Sequence, residues 1–209
     1  MRRSRVWASA GLALAFAALT ALVRTGRLTW LDQWAVDHLM VGVRAEPPRP
    51  LLQELIPFSH DRGPLDAVAD AVLLAGHPFV SAAAALWLAR TVSQRRISIL
   101  VGFALAVAIE VGLKLLVERP ALHLGTYHLE DFDQSFPSGH ATRTVFLAVV
   151  AAGAFPGAAR WIWLLLGTIL VLLVVTASHT PSDVAGGVLL GAALALVVNP
   201  PSAAARRTR

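Results

Sequence analysis

Long apolar segments separated by short polar ones run through the whole chain. A helix that crosses the hydrocarbon core of a bilayer needs about 20 mostly apolar residues, with a working range of about 17–25. Six segments meet this length or come close to it: Val6–Val23, Ala71–Ala89, Ile97–Val117, Ala141–Ala159, Trp161–Ser178 and Val184–Val198. The second is compatible with an earlier start near Leu65, and the last is long enough only if its polar start, from about Pro181, is helical. The pattern predicts an all-α integral membrane protein, a bundle of six transmembrane helices.

The stretch between the first two segments, Gly26–Gly63, is not uniformly polar. Apolar and polar residues alternate over Trp30–Leu39 and again over Leu51–Ile56, which predicts short amphipathic helices that lie in the membrane surface. A lid or packing segment without chemistry is the favoured interpretation of this loop. The chain then divides into three units: residues 1–64 with the first helix and the outer loop, residues 65–198 with a core of five helices, and a basic tail at 199–209.

The first helix has a second interpretation, because a basic start followed by an apolar run also describes a cleaved signal peptide. The uncharged run of Val6–Val23 is 18 residues long, whereas the apolar region of a signal peptide usually has about 7–15. We therefore expect the helix to be retained.

The arginines indicate how the bundle is oriented. Ten flank one side of the six predicted helices: Arg2, Arg3, Arg5, Arg90, Arg95, Arg96, Arg160, Arg206, Arg207 and Arg209. Six flank the other side: Arg24, Arg27, Arg44, Arg49, Arg62 and Arg119. Cytoplasmic loops carry the excess of Lys and Arg. The sequence therefore predicts a multi-pass protein of the cell membrane with both termini in the cytoplasm.

Composition agrees with a membrane protein and excludes several other classes. Hydrophobic residues make up 56% of the chain and charged residues only 15%, against about 25% charged in an average soluble domain. The net charge is +5, but the arginines lie between apolar segments, so we expect no nucleic-acid partner. The chain has no cysteine, which excludes disulfides, thiolate metal sites and cysteine nucleophiles.

Two charges interrupt the third apolar segment. A charge at the centre of a membrane helix costs about 2.5–3.5 kcal/mol, so such residues are functional candidates. Glu110 and Lys114 are one helical turn apart and form a possible i,i+4 ion pair. For Glu110, a role in a stabilising ion pair and a role in a functional site are equally open interpretations. A site is favoured for Lys114, which lies close to Arg119 at the same end of the helix.

Two further polar motifs precede the last helices. Residues 136–140 read Phe-Pro-Ser-Gly-His at the start of an apolar helix, where Ser138, the Gly139 amide and the free N–H groups suit a phosphate and His140 suits a proton donor. His179 and Asp183 are spaced one helical turn apart, so that the carboxylate could orient a nucleophilic imidazole. Each motif alone is also compatible with an ordinary helix start.

The predicted topology places these clusters on the same outer face. Cations, an anion site at a helix start and two histidines together describe phosphoryl transfer through a histidine. A metal site needs three or four convergent ligands, for which His123, His128, Glu130, Asp131 and Asp133 are the weaker alternative. We expect neither a metal nor another cofactor.

These residues resemble the type-2 phosphatidic acid phosphatase family, over roughly Leu65–Val198. The family's Pro-Ser-Gly-His motif is intact at Pro137–His140, and its His-x-x-x-Asp motif ends in His179 and Asp183. Its first motif, a lysine followed by Arg-Pro, resembles the segment from Lys114 to Pro120.

The resemblance implies a role for each site residue. His179 would attack phosphorus and form a phosphohistidine, which water would then hydrolyse. Asp183 would orient that histidine, and His140 would protonate the leaving oxygen. The phosphate oxygens would be held by four groups: Lys114, Arg119, Ser138 and the Gly139 amide.

The sequence departs from the family pattern at two places. Four residues rather than six separate Lys114 from Arg119, so Ala121 stands at the regular arginine position. The third motif normally opens with Ser-Arg, where this chain has Leu172 and Leu173. At least one phosphate-binding arginine is therefore missing. Arg143, one turn after His140, is the favoured replacement, and Arg62 in the outer loop is the alternative.

The predicted function is a metal-independent membrane phosphatase. It would act on a phosphate monoester or diphosphate of a phospholipid or polyprenyl lipid at the outer face. The alternative is a catalytically weak or inactive relative that binds lipid phosphate or acts as a membrane scaffold. The bilayer and the lipid phosphate are the expected partners, and assembly into a homo-oligomer stays open.

Overall fold

A computed structural model of the chain describes residues 2–41 and 73–198. Its α-helices, numbered along the chain, are α1 (Arg2–Arg24), α2 (Thr29–His38), α3 (Pro78–Thr91), α4 (Arg96–Leu116), α5 (Gly139–Ala154), α6 (Ala159–Val175) and α7 (Pro181–Val198). Two short antiparallel strands, β1 (His123–Leu124) and β2 (Tyr127–His128), form a hairpin between α4 and α5. Single 3-10 turns cover Leu74–Gly76, Ser93–Arg95, Glu130–Phe132 and Pro156–Ala158.

Each of the six apolar segments contains a helix, but the count of six membrane spans is not confirmed. Within the described residues, four helical stretches are long and apolar enough to cross a bilayer: Val6–Arg24, Ser93–Leu116, Pro156–Val175 and Pro181–Val198. The other two helices are shorter, with 14 residues in α3 and 16 in α5. Proline 78 sets the start of α3, and the Ser138 cap sets the start of α5. The expected earlier start near Leu65 lies outside the described residues.

The centre of the bundle is the pair formed by α5 and α7. About 56% of the α7 span is buried within the protein, against 6–22% of the other three spans. Helix α7 can approach α5 closely because two glycines one turn apart face it. A Cβ on Gly187 would lie 2.6 Å from the Ser138 carbonyl oxygen, and one on Gly191 would lie 2.5 Å from that of Thr142. Small residues at this spacing let membrane helices pack backbone to backbone.

The remaining long helices surround this pair and present apolar side chains outward. Exposed large side chains on them include Leu14 on α1, Trp87 on α3, Leu105 on α4 and Leu164 on α6. Exposed apolar surface on every outer helix is unfavourable in water and is favourable against lipid tails. Together with the four candidate spans, it makes the chain a multi-pass membrane protein.

Helix α2 and the β-hairpin pack together at one end of the bundle. They share an apolar cluster that contains Ala35, Val36, Leu122 and Phe132. Gln33 ties the two elements, since its Nε2 donates to the His123 carbonyl at 2.7 Å and its Oε1 accepts from the His123 amide at 3.0 Å. One helix of the amphipathic loop is therefore present, whereas the second, over residues 51–56, lies outside the described residues.

The turn from α6 into α7 has a left-handed residue at its corner. Ala177 has a φ of 56°, and the amides of Ala177 and Ser178 donate to the carbonyls of Val174 and Leu173. This is the Schellman arrangement that closes a helix, with alanine where glycine is usual. It reverses the chain directly before His179.

The close contact of α5 and α7 predicts that replacement by alanine has different effects at two glycines. Gly191→Ala should destabilise the protein by about 1–3 kcal/mol, because its Cβ has no room against α5. Gly167→Ala on α6, where nothing lies within 4 Å of the new Cβ, should be neutral or stabilising by up to about 1 kcal/mol. Thermal unfolding in detergent measures both, and equal melting temperatures would contradict the packing described.

Candidate active site

Three sequence motifs meet at the end of the bundle that α2 covers. Lys114 lies in the last turn of α4, His140 in the first turn of α5, and His179 just before α7. The rings of His140 and His179 lie 5.9 Å apart, centroid to centroid. Lys114 is close enough to both imidazoles to influence their protonation. The structure thus brings the residues of all three motifs together.

His179 is an almost buried imidazole, and its Nδ1 has no hydrogen-bond partner among the described residues. It lies between α6 and α7, and its backbone amide donates to the Leu173 carbonyl at 2.9 Å. Burial, followed by the positive charges of Lys114 and Arg143, lowers the pKa of His179 to about 3. The ring is therefore neutral near pH 7 and carries a free nitrogen lone pair.

Asp183 lies beside His179 without the expected hydrogen bond. The distance from His179 Nδ1 to Asp183 Oδ2 is 4.0 Å, too long for one. The carboxylate is satisfied elsewhere, since Oδ2 accepts from the Ser135 hydroxyl at 2.7 Å and from the Thr180 amide at 3.0 Å. Asp183 is thus a neighbouring negative charge and the cap of its own helix.

Arg119, one of the expected phosphate ligands, lies in a group of buried ion pairs. Its Nη1 donates to Asp183 Oδ1 at 3.0 Å and to Thr180 Oγ1 at 3.0 Å, and its Nη2 donates to Asp32 Oδ2 at 2.6 Å. The Arg119 side chain is only 2% exposed. Two carboxylates neutralise this guanidinium, so its contacts in this structure are those of an internal counter-ion. Its role as a phosphate ligand stays a prediction.

Asp32 was missed by the sequence reasoning, which treated its loop as a packing segment. From α2 it reaches the start of α7, where its carboxylate accepts from the Ser182 amide at 3.0 Å and from the Ser182 hydroxyl at 2.6 Å. It caps a helix from which it is separated by 150 positions. Its only signal in the sequence is an acidic residue on an amphipathic helix, and that pattern names no partner.

Ser138, another expected phosphate ligand, lies at the start of α5. Its hydroxyl accepts from the Ala141 amide at 3.2 Å as the cap of α5, and its own amide donates to the Asp183 carbonyl at 3.0 Å. The residue has no exposed surface. Ser138 thus joins the starts of α5 and α7 in this structure, and its contact with phosphate stays a prediction.

Arg143 reaches the same cluster from the second turn of α5. Its Nη1 donates to Glu110 Oε2 at 2.6 Å, and its Nε donates to the Gly76 carbonyl at 3.0 Å. The other oxygen of Glu110 lies 3.5 Å from Lys114 Nζ. The predicted ion pair between Glu110 and Lys114 is present, and Arg143 extends it. The alternative cation, Arg62, lies outside the described residues.

Gly139 has to be glycine in this arrangement. A Cβ at this position would collide with the Glu110 carboxylate and would approach Arg143 Nη1 to 2.7 Å. The first residue of α5 therefore leaves space for the charged groups at the helix start.

The candidate metal ligands do not converge within the part of the chain that the structure describes. His128 Nε2 pairs with Asp133 Oδ1 at 2.9 Å, and the rings of His123 and His128 lie 5.7 Å apart. No group of three or more His, Asp or Glu side chains suited to a metal ion occurs among the described residues.

Comparisons with known proteins identify a similar fold and the family of the chain. The fold is similar to the crystal structure of a transmembrane PAP2-type phosphatidylglycerolphosphate phosphatase from Bacillus subtilis, with a TM-score of 0.59 and 19% identity over 91% of this chain and 93% of that one. No curated protein matches the chain. The family model of the PAP2 superfamily matches residues 96–204. Since this match covers half of the chain and contains Lys114, His140 and His179, the chain belongs to the PAP2 superfamily.

Proposed function

We propose that this chain is a membrane lipid phosphate phosphatase that works through a phosphohistidine. A lipid phosphatase is supported at the level of the family, and the residue-level mechanism is our proposal. The observation that carries it is the neutral, unpartnered imidazole of His179 beside a second histidine and two cations. A buried histidine without a hydrogen bond is unfavourable unless it serves a ligand.

In the proposed mechanism His179 attacks the phosphorus of a lipid phosphate with its Nε2. The bond from phosphorus to the ester oxygen breaks, and His140 donates a proton to the departing lipid oxygen. His140 is neutral in the empty site because burial and nearby cations lower its pKa to about 3, so in this mechanism it takes up that proton when the anionic substrate binds beside it. The imidazole becomes positively charged, and the Asp183 carboxylate at 4.0 Å stabilises that charge. Water then attacks the phosphohistidine, His140 takes a proton from it, and inorganic phosphate leaves. The same steps apply to a monoester or to the terminal phosphate of a diphosphate.

Lys114, Arg143 and the Gly139 amide are the proposed ligands of the phosphate oxygens. The Lys114 side chain is 34% exposed, so it can reach a substrate that enters from the end of the bundle. Arg119 and Ser138 act one step away, by holding Asp183 and the start of α5 in place. The carboxylates would stabilise the positive charge of the phosphorylated imidazole, and the cations would stabilise the negative charge of the phosphate.

The position of Leu173 supports Arg143 as the replacement for the missing arginine. Leu173 stands where the family has an arginine, but its side chain is fully buried in an apolar cluster with Ala141, Ile169 and Val184. A guanidinium has no partner there. Arg143 supplies a cation to the same pair of histidines from the neighbouring helix.

The arginine distribution supports an active site on the outer side of the cell membrane, with both termini in the cytoplasm. The substrate would then be a phospholipid or polyprenyl phosphate of the outer leaflet. Helix α1 packs along α7, and its Ser9 hydroxyl donates to the Ala193 carbonyl at 2.9 Å.

A non-catalytic lipid-phosphate binding protein is the second candidate. It is favoured by one observation, the neutralisation of Arg119 by two carboxylates, which leaves fewer cations for the transition state. Such a protein would bind phosphate lipids without turnover.

The nucleophile is tested by His179→Gln. Purified protein in detergent should release inorganic phosphate from phosphatidate, a prenyl diphosphate or phosphatidylglycerol phosphate. His179→Gln should lower that rate by about a thousandfold or more, because no other group there can form the covalent intermediate. His123→Gln, on the exposed β1 strand, is the matched control and should retain activity. Turnover that survives in His179→Gln would refute the mechanism, and lipid binding without turnover in the wild type would favour the second candidate.

The proposed phosphate contact of Arg143 predicts a smaller loss. Arg143→Ala should reduce kcat/KM for the same lipid by about tenfold to a hundredfold, since a hydrogen bond to a charged group contributes about 1.5–3 kcal/mol. Arg160→Ala is the control, because Arg160 lies at the other end of the bundle over the ring of Trp161. Unchanged turnover of Arg143→Ala would rule out Arg143 as the replacement for the missing phosphate-binding arginine.

The neutral state of His179 predicts a dependence of stability on pH. The pKa of His179 is lowered in the folded protein, so from about pH 6.5 downward the unfolded chain binds a proton that the folded protein does not. The stabilisation is complete above that pH and is lost as the pH falls towards 3. The melting temperature of the wild type should therefore fall more steeply between about pH 7 and 4 than that of His179→Gln. Parallel curves for the two proteins would contradict a neutral buried imidazole.

A further inference from the structure

Glu110 is a buried carboxylate that the proposed mechanism does not use. Only 3% of the residue is exposed, and both of its oxygens face cations. Oε2 accepts from Arg143 Nη1 at 2.6 Å, and Oε1 lies 3.5 Å from Lys114 Nζ. These are the two side chains that we assign to the phosphate oxygens. A fixed negative charge therefore already occupies the cationic part of the site.

The carboxylate also lies against the start of α5. A Cβ on Gly139 would collide with Oε1, so the carboxylate is held directly beside the backbone of this first helical residue. Helix starts attract anions through their free N–H groups and the helix dipole. The Glu110 carboxylate and a bound phosphate would thus share one set of favourable partners and would lie next to each other.

The charges that face the site leave no surplus for a doubly charged ligand. Lys114 and Arg143 contribute two positive charges against the one negative charge of Glu110. Arg119 contributes one positive charge against the two of Asp32 and Asp183. The imidazoles of His140 and His179, whose pKa values are lowered to about 3, add no charge near neutral pH. A dianion would consequently meet a site whose fixed charges sum to zero.

A proton on the ligand changes this balance in two ways. It removes one negative charge, and it supplies a donor for an ionised carboxylate, which can only accept hydrogen bonds. A phosphate monoanion has such a P–OH group, whereas sulfate is a dianion without a proton at the same pH. We propose that Glu110 makes this site select a protonated phosphate group over a fully ionised tetrahedral dianion, with the P–OH donating to Glu110. The inference deepens the proposed function and rests on phosphate binding beside His179.

Calorimetric titration of the purified protein in detergent tests this selectivity. Inorganic phosphate and sulfate are titrated separately at about pH 6, where much of the phosphate is protonated. The wild type should bind phosphate at least about tenfold more tightly than sulfate, because sulfate leaves the carboxylate facing an unprotonated oxygen. Glu110→Gln should bring the two affinities to within about threefold, since an amide can donate to sulfate. Glu118→Gln, an exposed carboxylate at the same end of α4, should retain the wild-type ratio.

Equal affinities in the wild type, or a preference for phosphate that persists in Glu110→Gln, would overturn the inference. If Glu110→Gln fails to fold because Arg143 loses its counter-ion, the wild type and Glu110→Asp are titrated instead. The inference then requires that both bind phosphate more tightly than sulfate. Release of phosphate that depends on His179, without any anion preference, contradicts the role of Glu110 alone. Absence of both phosphate binding and phosphate release contradicts the proposed function as well.

The same phosphate group could come from a lipid or from free phosphate, and one further arm separates them. Short-chain phosphatidate is added to His179→Ala that has been loaded with inorganic phosphate. Displacement of phosphate in proportion to the lipid supports selection on the lipid headgroup. Phosphate that stays bound supports selection on the free anion. Binding of the lipid phosphate that displaces inorganic phosphate should respond to Glu110→Gln in the same way as binding of inorganic phosphate does.

Discussion

The buried ion pairs of Arg119 connect the parts of this protein that are distant in sequence. One guanidinium joins Asp32 of α2, Asp183 of α7 and the segment that follows α4. All three side chains are at most 2% exposed. Removing one partner from a buried pair costs about 3–5 kcal/mol, because the remaining charge is left uncompensated. These ion pairs therefore require α2, the end of α4 and the start of α7 to adopt their positions together.

This constraint explains how charge is divided at the end of the bundle. Asp183 is committed to Arg119, Ser135 and Thr180, so it faces His179 without binding its Nδ1. The histidine stays neutral, and the positive charges of a second group, Glu110 with Lys114 and Arg143, also act on it. The candidate site thus contains two charge clusters close to the imidazole of His179. Such preorganised charges can stabilise the charge of a phosphoryl group only where the bound substrate balances the net charge of the site.

The sequence predicts the parts of this arrangement that are local. Apolar length locates the helices, and the motifs around His140 and His179 mark the reactive end, because one turn of helix is a short-range geometry. Whether α3 and α5 span the membrane is not decided by apolar length, since caps and turns shorten them. The partner of Arg119 could not be predicted, because Asp32 is 87 residues away and hydropathy contains no information on which charges meet.

The absence of an arginine at Leu173 follows from the same packing. Its side chain fills the apolar contact between α6 and α7, while its carbonyl accepts from the amides of Ser178 and His179. The backbone at this position sets the location of His179, the proposed nucleophile, and the side chain packs in the core. In the proposed mechanism the cation for the phosphate therefore comes from another helix, where α5 places Arg143 one turn beyond His140. That position brings Arg143 within reach of Glu110, so a change in the source of one cation also introduces a carboxylate into the site.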